Sequence, residues 1–366
     1  MKKKEIKNGA LAYQNYKFLI ENNIINSNNR IPDESIQPAS IDLRLGNFAY
    51  RVSSSFLTIN KTVEDRIKNF IIDKIDISQG HLFKKNQIYI VEVQESLNLD
   101  SKLSGKCNPK SSTGRLDILS RVISDYSSEY EVIKPGYKGK IYLEITSKTF
   151  NIVFTEGDKL SQLRLRKNNI VTTNDRELIG LHKLSPLLYN KNHKAIKPLI
   201  NNGLKITAAV FNDDEPIAYK AKKDSPEIFF NKLRFHNKKD YWVSINKTKK
   251  NSLIIEPNEF YILKSKEKIK ISRNLAAEMI PYDSEIGEFR AHYAGFFDPG
   301  FGNEMKGSHA VLEIKTYEVP FAVEDGQIIA RLIFEKLAEE PTKIYGEGIK
   351  SNYQNQGLAL SKHFRV

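Results

Sequence analysis

The chain has 366 residues, enough for two domains that each bury a core, and its 40% hydrophobic and 28% charged content describes a soluble globular protein. No apolar run approaches the roughly 20 residues of a membrane span. The formal net charge of +13 suits a polyanion such as nucleic acid or a nucleotide triphosphate, yet the lysines are spread along the whole chain and gather in no single basic helix. That dispersal favours compositional drift, and nucleic acid is not an expected partner.

Met1-Lys2-Lys3-Lys4-Glu5 leads into polar sequence and not into the apolar core of a signal peptide, so a cytoplasmic location is expected. Residues 9–23 carry apolar side chains at helical spacing and stop at asparagines, which predicts one short helix. In Pro38-Ala39-Ser40-Ile41-Asp42-Leu43-Arg44-Leu45-Gly46 the alternation predicts a half-buried strand, with Ile41, Leu43 and Leu45 inward and Asp42 and Arg44 outward. Further strands are expected over Phe70–Ile75, Ile88–Val93, Lys140–Ser147 and Phe150–Phe154. Short strands divided by Gly, Pro and Asn turns indicate a β-sandwich or jelly roll. The lone cysteine, Cys107, excludes an internal disulfide framework and a Cys-rich metal site, and the scattered histidines offer no zinc spacing.

Pro109-Lys110-Ser111-Ser112-Thr113-Gly114-Arg115 sets three adjacent hydroxyls, a glycine and two cations side by side. Hydroxyls and backbone N–H groups can wrap phosphate oxygens, Gly114 lets the backbone approach, and Arg115 can clamp an oxyanion. The same residues also suit a polar turn with a surface arginine.

Around 186–202 the chain becomes rich in Pro, Asn and Lys, which predicts a linker between domains 1–185 and 203–366. The second half repeats the first at a spacing of about 170 residues. Asn86-Gln87-Ile88-Tyr89-Ile90-Val91 returns as Asn258-Glu259-Phe260-Tyr261-Ile262-Leu263, and Tyr142-Leu143-Glu144-Ile145 as Val311-Leu312-Glu313-Ile314. Opposite the Lys110–Arg115 loop stand Asp283 and Glu288, whose carboxylates would repel a triphosphate. Opposite Asp298-Pro299-Gly300-Phe301 stands Lys134-Pro135-Gly136-Tyr137, with a lysine in place of a possible sugar-binding Asp. Each half lacks what the other kept.

In order along the chain, Ala39–Gly46, the Lys110–Arg115 loop, Asp298-Pro299-Gly300-Phe301 with Val311-Leu312-Glu313, and the tail from Tyr345 through Asn352-Tyr353-Gln354-Asn355-Gln356-Gly357 resemble the dCTP deaminase branch of the dUTPase-like superfamily, in its long duplicated bacterial form. The resemblance implies a mainly β fold, two tandem dUTPase-like distorted jelly-roll or β-barrel domains with a few short helices. It implies hydrolytic deamination of dCTP to dUTP and ammonia in dTTP precursor synthesis, Mg2+ carried by the triphosphate, no zinc, and a homo-oligomer with sites between neighbouring domains. By position, Lys110, Ser111, Ser112, Thr113, Gly114 and Arg115 would form the nucleotide loop, with Ser111 and Arg115 among the catalytic residues. Ala294 would offer backbone contacts to the base, flanked by Val311 and Leu312, and Asp298 would hold the deoxyribose 3′-hydroxyl. Glu313 would be the catalytic glutamate, and Tyr345, Lys350 and Gln356 would belong to a lid.

Deamination at C4 needs a water made nucleophilic and a proton delivered to the departing amine, and one buried glutamate can do both. Glu313 sits within Ala310-Val311-Leu312-Glu313-Ile314, where it is either desolvated, which raises its pKa, or turned outward to solvent. Glu144 occupies the equivalent place in the first half, but its neighbours lack a sugar-binding carboxylate, so a structural role, paired with a nearby lysine, is expected for it. A dUTP pyrophosphatase or bifunctional enzyme, and a non-catalytic nucleotide-sensing or nucleic-acid-binding protein, remain alternative readings of these residues.

Overall fold

The structure is a computed structural model that describes residues 6–365 except 169–171, 212–215, 247–250, 282–289, 292–294, 304–305, 350–352 and 355. The chain is mainly β, and its longest described helix, Asp175–Leu184, has 10 residues. The predicted N-terminal helix is present as Tyr13–Glu21. Phe70, expected to begin a strand, instead ends the helix Val63–Phe70, whose first turn is capped by Thr62 accepting from the Asp65 N–H at 3.1 Å. The strand starts one residue later, as Ile71–Asp76. Among the described residues no helix is long and apolar enough to cross a membrane.

Contacts divide the chain into two compact units, and the division is not a single cut. Unit 1 is Met1–Val171 with Pro226–His236 and Leu337–Lys343; unit 2 is Thr172–Ser225, Asn237–Lys336 and Ile344–Val366. The excursion Pro226–His236 joins unit 1 because Ile228–Phe229 pairs in parallel with Ile152–Phe154. Within the stretch expected as linker, Leu187 and Leu188 are buried in the core of unit 2, and Leu188 pairs with Ile269. Leucines there bury apolar surface that an exposed connection would leave in water.

Unit 1 is built on one antiparallel run of strands, in the order Ile118–Ile123, Lys138–Ser147, Ile88–Asn98, Ile41–Val52, Lys159–Lys167, Leu103–Pro109 and Val132–Ile133. The Ile41–Val52 strand differs from its half-buried expectation, since Asp42 and Arg44 are buried as well as Ile41, Leu43 and Leu45. Ionic partners make this tolerable. Arg44 donates from Nε to Glu95 Oε1 at 2.5 Å and from its backbone N–H to Glu95 Oε2 at 2.8 Å, and Lys110 pairs with Asp42.

Unit 2 has a sheet ordered Trp242–Ile245, Ala218–Ala221, Tyr261–Ile269, Ser308–Lys315 and Arg290–Ala291, and a second ordered Leu204–Thr207, Ile328–Lys336, Leu275–Pro281 and Phe296–Phe297. Both contribute to one apolar core: Leu263, Leu312 and Ile314 from the first, Ile206, Ala277, Leu332 and Phe334 from the second. The sequence repeat is a structural repeat down to strand register. Ile90 pairs with Glu144 and Val91 with Leu143 in unit 1, as Ile262 pairs with Glu313 and Leu263 with Leu312 in unit 2. The turns agree too: Asn86 and Asn258 have φ of 61° and 59°, and Gly136 and Gly300 have φ of 74° and 92°.

Candidate active site

The Lys110–Arg115 stretch closes into a tight helical turn and does not form an open loop. The strand Leu103–Pro109 runs into a single turn, Ser111–Gly114, anchored by the Lys110 N–H donating to Leu160 O at 2.8 Å. The Thr113 and Gly114 N–H groups both donate to Lys110 O, at 2.8 and 3.0 Å, and the Thr113 hydroxyl donates to Leu160 O at 2.8 Å. The hydroxyl of Thr113 is therefore committed to the backbone. Ser112, Thr113 and Arg115 are buried, whereas Ser111 is exposed. What this turn turns outward is Ser111 and the half-buried Lys110, whose ammonium pairs with Asp42.

Two neighbours of that turn escaped sequence reading. Alternation assigns Asp42 to a solvent face, whereas it is buried against Lys110. Lys159 lies next to the anchoring Leu160 and opposite Arg44 in the sheet. Burial pushes the Lys159 pKa down, and the nearby Lys110 cation pushes it down further while Asp42 raises it. Clustered, partly desolvated cations of this kind gain from an added anion.

The other predicted residues lie in unit 2. The strand Ser308–Lys315 turns Ala310, Leu312 and Ile314 into the core, so alternation puts His309, Val311, Glu313 and Lys315 on the opposite face. That face is not open to water. Glu313 is 5% exposed, so the solvent-facing alternative does not hold. Leu312 is a core residue and does not share the side that Glu313 faces.

Asp298, also buried, begins the turn Asp298-Pro299-Gly300-Phe301, in which the Phe301 N–H donates to Asp298 O at 3.1 Å. A Cβ on Gly300 would lie 2.9 Å from the Ile344 side chain and 3.1 Å from Tyr345 O, so glycine is needed for the close approach as well as for its φ. Tyr345 donates its N–H to Pro299 O at 2.9 Å, and its ring lies 5.7 Å from that of Phe301. Gln356 donates from its N–H to Ser308 Oγ at 3.2 Å and from Nε2 to His309 O at 2.9 Å. The turn, the tail and the head of the Glu313 strand are thus brought together within unit 2. Ala294 and Lys350 lie outside the described residues, as do Asp283 and Glu288.

Glu144 has a different setting. It is 1% exposed, and its Oε1 accepts from Arg121 Nε at 3.1 Å and from Arg121 Nη2. Its Oε2 accepts from the Ser55 hydroxyl at 2.7 Å, and Tyr130 stands over the Arg121 guanidinium at 3.9 Å. The partner is an arginine and not the expected lysine, because the neighbouring strand sets Arg121 directly opposite Glu144. Tyr142, on the same face, packs with Phe56, Val63 and Ile67 from the segment that follows the Ile41–Val52 strand. Cys107 is fully buried, and burial raises its thiol pKa, which removes the thiolate a nucleophile or ligand would need. Among the described residues no group of three His, Cys, Asp or Glu side chains could hold a metal ion.

Two family models match the chain. The 2'-deoxycytidine 5'-triphosphate deaminase N-terminal domain covers residues 7–169, and the C-terminal domain of the same family covers residues 174–364. The crystal structure of 2'-deoxycytidine 5'-triphosphate deaminase from Agrobacterium tumefaciens is 39% identical, with a TM-score of 0.87 over 92% of this chain and 97% of that one. A dCTP deaminase of Halorubrum lacusprofundi is 27% identical over 134 residues, which are 36% of this chain and 63% of that protein. A dUMP-forming dCTP deaminase of Corynebacterium glutamicum (strain R) is 28% identical over 136 residues, 36% of this chain and 67% of that protein. The chain thus spans about two thirds of the length of the curated relatives it matches. With both halves matched by their own models and the whole fold shared with a solved member, this chain belongs to the dCTP deaminase family.

Proposed function

We propose that the protein hydrolytically deaminates dCTP, with Glu313 as the group that moves the protons. The observation that carries this reading is the contrast between two equivalent glutamates. Glu144 is held by Arg121 and Ser55, while Glu313 lies buried on the non-core face of a strand whose head receives the Tyr345–Gln356 tail. In the reaction, Glu313 takes a proton from water as the oxygen adds to C4 of cytosine. It then delivers that proton to the 4-amino group, the C4–N bond breaks and ammonia leaves, and the remaining proton of the added oxygen passes to N3 as the uracil carbonyl forms. Water and dCTP are consumed; dUTP and ammonia are produced.

In this reading Asp298 accepts from the deoxyribose 3′-hydroxyl, and Ala294 and Val311 flank the base. Lys110, Ser111 and Arg115 meet the phosphates, and Tyr345, Lys350 and Gln356 cover them. Mg2+ enters as part of the substrate, on the triphosphate, and no zinc is required. The protein acts as a homo-oligomer in the cytoplasm and supplies dUTP for dTTP synthesis.

The Corynebacterium relative carries a dUMP-forming description, which supports a second product reading. One experiment tests all of this: incubate the protein with dCTP and Mg2+, and resolve ammonia, dUTP, dUMP and pyrophosphate over time. Ammonia with dUTP is the expected result. Ammonia with dUMP and pyrophosphate establishes the bifunctional form, and binding without turnover sinks the enzymatic reading.

A further inference from the structure

A lysine is buried on the same face of the sheet as Glu313. The strand Tyr261–Ile269 pairs with the Glu313 strand at Ile262↔Glu313, Leu263↔Leu312 and Lys264↔Val311. Tyr261 and Leu263 belong to the core, so Ile262 and Lys264 lie on the Glu313 side. Lys264 is 6% exposed. It stands one cross-strand pair away from Glu313, a diagonal of about 7–8 Å between backbones that a lysine side chain spans.

Other charged and titratable groups flank this face, among them Lys268 on the Lys264 strand, which pairs in register with His309. The Glu313 strand adds His309 and Lys315, and the adjoining strand Ala218–Ala221 sets Tyr219 opposite Ile262. On the far side, Arg290–Ala291 pairs with Lys315 and Ile314. His309 donates from Nδ1–H to Ser265 O at 2.8 Å, and burial together with the Lys264 cation lowers its pKa to about 4. His309 is accordingly neutral near pH 7, and among the described residues Glu313 is the carboxylate nearest in register to Lys264. A buried ammonium in such a place is costly unless a carboxylate answers it.

We propose that Lys264 is a positioning residue for Glu313, set diagonally across the sheet so that the buried carboxylate stays ionised until it meets substrate. Burial alone would favour the protonated acid, which cannot accept a proton from water; the neighbouring cation opposes that. Unit 1 offers the contrast. Its residue at the Lys264 position is Glu92, half-exposed and paired with Lys140 at 3.1 Å, and Glu144 takes its cation from the opposite neighbouring strand. This inference rests on Glu313 being the proton-transfer group.

The test is Lys264→Met, an uncharged chain of similar length, beside Lys264→Arg. For Lys264→Met the acid limb of the kcat/KM profile moves up by about one pH unit or more, a tenfold loss on that limb. Equilibrium binding of dCTP, measured in a Glu313→Gln background, changes by less than about threefold, and Lys264→Arg restores the native limb. A readout independent of turnover is the titration of Glu313 by carbon NMR with carboxyl-labelled glutamate, its signal identified by its loss in Glu313→Gln. In the native protein Glu313 should titrate no higher than an ordinary carboxylate despite its burial. A Glu313 that titrates well above that range in the native protein overturns the proposal even if the Met variant does not fold. So does an unmoved acid limb accompanied by weakened dCTP binding, which would make Lys264 a substrate contact. If the native protein releases no ammonia from dCTP, the deaminase reading falls, while the titration still decides whether Lys264 governs Glu313.

Discussion

Glu144 and Glu313 stand on equivalent strands of the two units, opposite the same kind of residue, yet in different surroundings. Ile90 faces Glu144 and Ile262 faces Glu313, so backbone geometry does not distinguish them. Nor does burial, at 1% and 5% exposure. Their neighbours differ. In unit 1 the strand beside Glu144 delivers Arg121, and the segment after residue 52 delivers Ser55 and Phe56, so both carboxylate oxygens are used and apolar side chains fill the same face. In unit 2 the corresponding face keeps Val311, the tail lies against the head of the strand, and a lysine replaces the glutamate diagonal to the carboxylate. Equivalent positions of a duplicated strand can thus be given different surroundings, with the strand itself unchanged.

The sharpest way to break this comparison is to change each glutamate to its amide. Glu313→Gln keeps shape but cannot act as a base, and kcat should fall by about a hundredfold or more, within the roughly 10²–10⁴ typical of general acid–base catalysis. dCTP binding should persist, and Glu144→Gln should retain most of the activity. The reverse pattern would place the working group in the first half.

Next in size is the phosphate turn. Arg115→Ala removes charge-assisted hydrogen bonds of about 1.5–3 kcal/mol each, so kcat/KM for dCTP should drop roughly tenfold or more. Its counterpart Glu288 should tolerate truncation with little effect on turnover. Similar losses from both would dissolve the assignment of the phosphate role to the first half.

Stability should sort the glutamates in the opposite order. Glu144→Gln leaves Arg121 without its carboxylate; because that arginine is partly exposed, the expected cost is about 2–3 kcal/mol, read as a lower urea midpoint. An unchanged midpoint would deny Glu144 its structural role.

A last effect concerns pH and is spread over several pH units. His309 is buried neutral with a pKa near 4, against an ordinary value of 6.5. Its contribution is complete above about pH 6.5 and is lost as pH falls toward 4, because the unfolded chain takes up the proton first. The loss amounts to at most about 3 kcal/mol by linkage, and His309→Asn should flatten that part of the stability profile. Unit 1 has Lys140 at the equivalent position, so the slope should belong to the unfolding of unit 2 alone.

Much of this was legible along the chain. Period-two alternation and turn residues reveal the strands, and the recurrence of Ile-Tyr-Ile-Val as Phe-Tyr-Ile-Leu and of Leu-Glu-Ile in both halves reveals the duplication, because register and core packing depend on local pattern. The ordered motifs were enough to suggest the family. Alternation, however, states only which side of a strand a residue faces and not what covers that side. It placed Asp42 and Arg44 in solvent, where tertiary packing instead supplies Lys110 and Glu95. Composition, in turn, makes a linker of a stretch whose Leu187 and Leu188 fill a core. Alternation left Glu144 and Glu313 equal, since Arg121, Ser55 and Tyr130 on one side, and Lys264 and Gln356 on the other, reach their places from strands and segments distant in the chain. The sequence by itself determined the strands, their repeat and the residue types available for chemistry. Which buried charge meets which partner was decided only by the tertiary structure, because electrostatic interactions act across space and not along the chain.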